Sequence, residues 1–196
     1  MRYLLLSSML ILMACTTSKK ISQQSTGNKI PVFQWDTITT FKANITVLNR
    51  DYTGMMILNR ENDSSYRVIL TTGVGPKLID MNITSKGYTK LYAIKQLNRK
   101  ALLNMLWEDF GTMVNIFAKN ESLPTSSESV CFPVRKKLTA CYNYETKQLS
   151  PSSAYFMEGP DMKTKISYFY DNKNHPDSVV IEHLSFNMSY YFKKLN

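Results

Sequence analysis

The sequence predicts an α+β fold: a strongly curved antiparallel sheet, a meander, wrapped round one amphipathic helix as a half-open β-barrel. Two observations predict it. Short runs of period-two hydrophobicity follow one another at roughly ten-residue spacing with turns between them, and only antiparallel neighbours can be joined by such short links. The period then changes once to 3.6, giving a single helix, before strand patterns return.

The first strand alternates apolar Phe41, Ala43, Ile45 and Val47 with polar Lys42, Asn44 and Thr46, so one face is buried and one is wet. Asn49-Arg50-Asp51 breaks it. A second run follows over 52–58 with Gly54 inside, which signals a bulge or a close backbone approach. Residues 60–65 form a turn, 66–71 a third strand, and Gly73-Val74-Gly75-Pro76 a turn. Residues 78–84 and 88–94 are the fourth and fifth strands, divided by Ser85-Lys86-Gly87.

Asn98 then caps a helix running to Phe117, in which Leu102, Leu103, Leu106, Phe110, Met113, Val114 and Phe117 recur at steps of three and four. Trp107 lies at the edge of that stripe, and Gly111 is a weak point. Such a helix cannot stand free, so it lies on the sheet its own chain makes. Residues 119–130 read as a polar loop, 138–144 as a strand and 150–161, with two prolines and a glycine, as a second loop. Strands follow at 164–170, 178–186 and 188–193, the last two either separate or one strand bent near Asn187, with a turn over 171–177.

The N-terminus carries the address. Arg2 precedes an apolar stretch from Tyr3 to Ala14, too short to cross a bilayer and flanked as a secretory signal is. The division is a signal peptide over 1–14, a lipidated Cys15 with a flexible tether over 15–36, and a single half-barrel domain over 37–196. Residues 16–30 are rich in Ser, Thr, Gln and Lys, the composition of a solvated linker. Leu12-Met13-Ala14-Cys15 resembles the bacterial lipobox, which implies that Cys15 is diacylated and anchors the chain to a membrane it does not enter. Thr16 is not the aspartate that resemblance associates with inner-membrane retention, and the segment 16–20 has no acidic export cluster. The expected place is therefore the outer membrane, lipid-anchored and facing the periplasm.

Charge and chemistry narrow the class. The net charge is +9 and falls by one when Arg2 leaves with the leader. In an envelope compartment that charge faces anionic lipid or an acidic partner, and nucleic acid is not an expected partner. Of the two histidines, His175 lies in an Asn-His-Pro turn and His183 reads as a packed strand residue. No G-x-S-x-G elbow, P-loop, C-x-x-C, H-E-x-x-H or calcium loop occurs, so the chain reads as a non-enzyme with no metal and no cofactor. Cys131 and Cys141 are an even pair once Cys15 is lipidated, and read either as a disulfide staple or as two buried thiols.

The tether, the meander containing "YTGMMILNR" and "YRVILTTGVGPKLIDMNI", and the helix "LNRKALLNMLWEDF" resemble small lipoproteins of Bacteroidetes. In element order that group is similar to the periplasmic lipoprotein carrier and outer-membrane receptor family (LolA/LolB-like). The resemblance implies a half-barrel around a helical lid, an apolar concave side that holds acyl chains, and no catalytic residue. The apolar loop by which the receptor enters the membrane has no counterpart here. Met56, Leu58, Val68, Leu70, Met81, Leu106, Phe110 and Met113 are the candidates to line such a groove, and they suit an ordinary core equally well. Two functions follow: binding of lipid or acylated lipoprotein cargo in the groove, or an accessory or scaffold subunit of an outer-membrane complex, bound to an envelope protein partner and with a filled core.

Overall fold

The computed structural model describes residues 35–47, 49–118, 129–144, 151–171 and 176–195. One antiparallel sheet of eleven strands contains β1 (Ile38–Val47), β2 (Arg50–Asn62), β3 (Ser65–Thr72), β4 (Lys77–Thr84), β5 (Gly87–Ala93), β6 (Ser129–Arg135), β7 (Leu138–Tyr144), β8 (Pro151–Glu158), β9 (Asp161–Tyr170), β10 (Pro176–His183) and β11 (Met188–Lys194). A helix, α1 (Lys100–Met113), stands between β5 and β6 in the chain, and a short 3-10 turn, Ile116–Ala118, follows it.

The order across the sheet is β5-β4-β3-β2-β1-β11-β10-β9-β8-β7-β6. Two meanders, β1–β5 and β6–β11, therefore join at a central seam where Phe41 pairs with Lys194 and Val47 with Met188. The edges β5 and β6 are not paired with each other, so the barrel stays half open. The helix connects these two edges in sequence. Edge strand β5 is largely exposed and carries Lys90, and β6 carries Pro133 and Arg135; charge and proline at an edge discourage pairing with another chain.

Alternation supplies the core. Phe41 and Ala43 of β1, Met56 and Leu58 of β2, Val68 and Leu70 of β3, and Val179 and Ile181 of β10 all turn to the concave face and are buried. The helix fills that face. Phe110 sits 6.3 Å from the Tyr190 ring and 6.1 Å from that of Phe192, and the Trp107 indole donates to the Thr84 carbonyl at 2.8 Å. The Tyr168 hydroxyl donates to the Thr112 carbonyl at 3.0 Å, and that of Tyr142 reaches the same oxygen, so the last turn of the helix is held by the second meander. Among the described residues, the strands, the helix and the buried core lie between Trp35 and Leu195.

The half-barrel and its one helix are as expected, and several boundaries differ. The helix spans 100–113 rather than 98–117. Asn98 does not cap it: its Oδ1 accepts from Lys90 Nζ at 2.8 Å, and Arg99 takes the cap position without a side-chain bond. The chain leaves the helix through Asn115, whose positive φ of 58° suits an asparagine. Strand β8 occupies the stretch expected as a loop over 150–161. Pro151 opens it, where a missing N–H costs no ladder bond, and Gly159-Pro160 merely turns it into β9.

Strand β6 likewise begins at Ser129, inside the expected 119–130 loop. As an edge it buries only one side chain fully, Phe132, and so carries little hydrophobic signal. Strand β10 ends at His183, and residues 184–187 reverse the chain into a separate β11. Strand β2 continues to Asn62, leaving Asp63-Ser64 as the turn. Trp35, expected in the tether, packs edge-on against Phe41 at 5.5 Å. The stretch expected as a signal peptide, Cys15, most of the expected tether and His175 lie outside the described residues.

Candidate functional site

Of the eight groove candidates, Met56, Leu58, Val68, Met81, Phe110 and Met113 are packed in the interior, where the helix meets the sheet. Leu70 and Leu106 border a void as well. That void is an apolar recess of about 40 Å³, bounded also by Ile45, Leu78, Ile79, Leu97 and Tyr190. It is far below the roughly 300 Å³ of a ligand pocket. The recess is continuous in its walls with something larger.

Val47, Tyr52, Gln96, Leu97, Leu102 and Met188 line both the recess and an open cleft of about 680 Å³. The cleft lies at one end of the half-barrel, between the start of the helix (Ala101, Leu102, Met105), the β1–β2 turn (Val47, Arg50, Tyr52) and the β10–β11 turn (Phe186, Met188). Sheet topology makes it. The β1·β11 seam sets those two turns side by side, and the Asn187 side chain donates to that of Asn49 across them. Asn49 itself takes a positive φ of 62°, a conformation that asparagine tolerates in turns. Arg50 and Arg99 stand at the rim, and among the described residues no acidic side chain lines this cleft.

A second, polar cleft of about 440 Å³ flanks the same stretch of helix; Met105 and Phe186 border both. Here charges are paired. Arg135 Nε contacts Glu108 Oε1 at 2.6 Å, and His183 Nε2 contacts Asp109 Oδ2 at 2.9 Å, while Thr164 Oγ1 stands 3.1 Å from His183 Nδ1. Burial pushes the Asp109 carboxyl up, against the pull of the His183 hydrogen bond, and pushes Glu108 up against Arg135 in the same way. The order Asp–His–Thr has the members of a nucleophilic triad. Thr164 borders the cleft yet is only 3% exposed, and its hydroxyl extends the His183–Asp109 pair onto strand β9. The chain acts as a clamp between helix and sheet.

Sequence reading placed His183 correctly as a packed strand residue and missed both of its partners. The available signal was Asp109, a carboxylate set between Leu106, Phe110 and Met113 on the apolar stripe, where a charge is not left without a counterpart. Cys131 and Cys141 face each other in the β6–β7 ladder and are joined by a disulfide on the side away from the core.

Comparison with known proteins bears on the fold. No protein-family model matches the chain, and no curated protein matches it. Among solved structures, a LolA superfamily protein from Nitrosomonas europaea superposes with a TM-score of 0.51 at 10% identity, covering 86% of this chain and 89% of that one. The fold is thus a half-barrel of the LolA type. A domain from Vibrio parahaemolyticus named for outer-membrane lipoprotein sorting gives 0.46 at 8% identity (81% and 83% covered), and a DUF1329 family protein from Desulfovibrio piger 0.47 at 7% (84% and 86%).

Proposed function

We propose that this protein is a non-enzymatic envelope lipoprotein, anchored by an acylated Cys15 on the periplasmic side of the outer membrane, and that it holds lipid or acylated cargo in the cleft at the open end of its half-barrel. The observation that carries the reading is the cleft itself: about 680 Å³, opening on an apolar recess. That volume is within the range of small-molecule sites, and Leu97, Leu102, Met105 and Met188 offer aliphatic and thioether surface that adapts to a flexible chain. The LolA-type fold supports it, since the resemblance implies acyl chains on the concave side. Here the concave side is filled by α1, so the acyl site is displaced to the end of the helix.

The experiment is native mass spectrometry with lipid extraction on residues 21–196, which contain all the strands, the helix and the core of the described residues, purified from a Gram-negative periplasm. Stoichiometric co-purified lipid, lost in a Leu102→Trp variant that fills the cleft, supports the reading. A bare mass that stays bare after incubation with membranes sinks it. One observation favours a second reading, an accessory or scaffold subunit of an outer-membrane complex: the interior void is only about 40 Å³. A bare mass together with a specific crosslink to an envelope protein in the native host is its expected outcome.

A further inference from the structure

The two clefts flanking the first turns of the helix differ in one respect that bears on the ligand. In the polar cleft the cations are matched: Arg135 by Glu108, and Lys163 by Glu158 and Asp161 at 3.8 and 3.7 Å. In the apolar cleft neither Arg50 nor Arg99 makes an ion pair or a side-chain hydrogen bond among the described residues, although both line it. Arg99 stands at the N-cap and Lys100 at the first helical position, and the first turn of α1 holds no acidic residue. Cations at the positive end of a helix dipole repel it, so this end carries an uncompensated positive field over an apolar floor.

From this charge pattern we propose that the cleft takes an amphiphile with an anionic headgroup, a carboxylate or a phosphate, gripped by Arg50 and Arg99 while the hydrocarbon lies along Leu102, Met105 and Met188. The inference rests on the cleft being a lipid site, as proposed above. Guanidinium groups suit either oxyanion, because their fixed fork of donors meets two oxygens at once. The Asn49–Asn187 contact holds the turn that carries Arg50 against the β10–β11 turn, so one arginine is fixed to the sheet and the other to the helix. The anion would close the gap between them and screen the helix end.

Calorimetry below the critical micelle concentration tests this on residues 21–196 with three ligands of one acyl chain: oleate, oleoyl lysophosphatidate and uncharged monooleoylglycerol. The expected result is that at least one of the anionic ligands binds about ten-fold or more tightly than monooleoylglycerol. An Arg50→Gln/Arg99→Gln variant is expected to abolish that preference, bringing the anionic ligands to the affinity of monooleoylglycerol for the same variant. Tighter lysophosphatidate names phosphate as the headgroup; tighter oleate names carboxylate. Equal binding of all three, or a preference that survives in the double variant, overturns the headgroup inference while the lipid site stands. No binding of any of the three to the parent protein, with Leu102→Trp indistinguishable from it, overturns the lipid site itself.

Discussion

His183 Nε2 and Asp109 Oδ2 stand 2.9 Å apart, with side chains only 3% and 1% exposed, and tie strand β10 to the helix across the concave face. Their pairing is more a condition of burial than a gain: either group alone would be a polar atom sealed from water. Asp109→Leu or His183→Leu singly is expected to cost about 3 kcal/mol, whereas the double variant recovers much of that. Urea unfolding of the four species at pH 7 gives the coupling. Strictly additive losses would show that the two side chains do not depend on one another.

Asp80 presents the opposite case. It is buried on the face away from Ile79 and Met81, where Arg67 grips it through both oxygens at 2.8 and 2.9 Å and Lys77 adds a third contact at 2.7 Å. The hydrogen bonds from Arg67, outweighing burial, bring its carboxyl down to about 2 from an ordinary 3.8. A lowered folded pKa means stability that is present above the unfolded value and lost as pH falls through the folded one. The difference in stability between the parent and Asp80→Asn should therefore be constant from pH 7 to about 5 and shrink between about 4 and 2. Its size is about 1–2 kcal/mol, allowing for solvent screening of the partly exposed cations. Acid titration of the two proteins side by side measures it, and a difference that persists at pH 2 would contradict the assignment.

Gly54 lies where β2 passes β3 so closely that a Cβ would fall 1.8 Å from the Thr71 carbonyl oxygen. Backbone cannot swing aside as a side chain can, so Gly54→Ala should cost about 3 kcal/mol or abolish folding. Gly111→Ala is the control. Its Cβ would meet the Phe117 ring end at 2.6 Å and an Ile116 methyl at 3.1 Å, groups that can shift, and about 1 kcal/mol is expected. Thermal unfolding ranks the two.

Cys131 and Cys141 close the β6–β7 hairpin at an edge of the sheet. Removing both sulfurs as Cys131→Ser/Cys141→Ser is expected to cost about 2 kcal/mol and to act locally. Hydrogen exchange should quicken through 129–144 while the β1·β11 seam keeps its protection. Faster exchange along the seam would mean that the staple supports the whole sheet.

The legibility of this fold follows where the hydrophobic signal is strong and local. Strands β1–β4 bury residues at alternate positions and α1 buries an unbroken stripe, so both can be read from residues a few places apart. Strand β8 escaped because Pro151, Gly159 and two serines weigh toward a loop, while its assignment is settled by ladders to β7 and β9 on either side. The groove candidates were legible as buried and not as packed, since periodicity reports which face is apolar and not what covers it. Arg50 and Arg99 carried no signal at all. Forty-eight residues of chain lie between them, and they share a rim because of the β1·β11 seam, which pairs residues as far apart as Phe41 and Lys194.

That seam also sets an order of events in time. A chain emerging from its N-terminus can complete the β1–β5 meander early, yet β1 keeps a bare ladder on its other side until β11, the last of the described strands, has emerged. Pairing across about 150 residues is slow, because the entropy of closing so long a loop is lost before any contact rewards it. Throughout that interval the apolar inner face of the first meander lacks the cover that β11 supplies, as Phe192 does to Phe41. The nascent protein is thus for a while an open, sticky sheet of the kind that holding chaperones recognise, and the arrival of its final seven-residue strand is the step that ends the exposure.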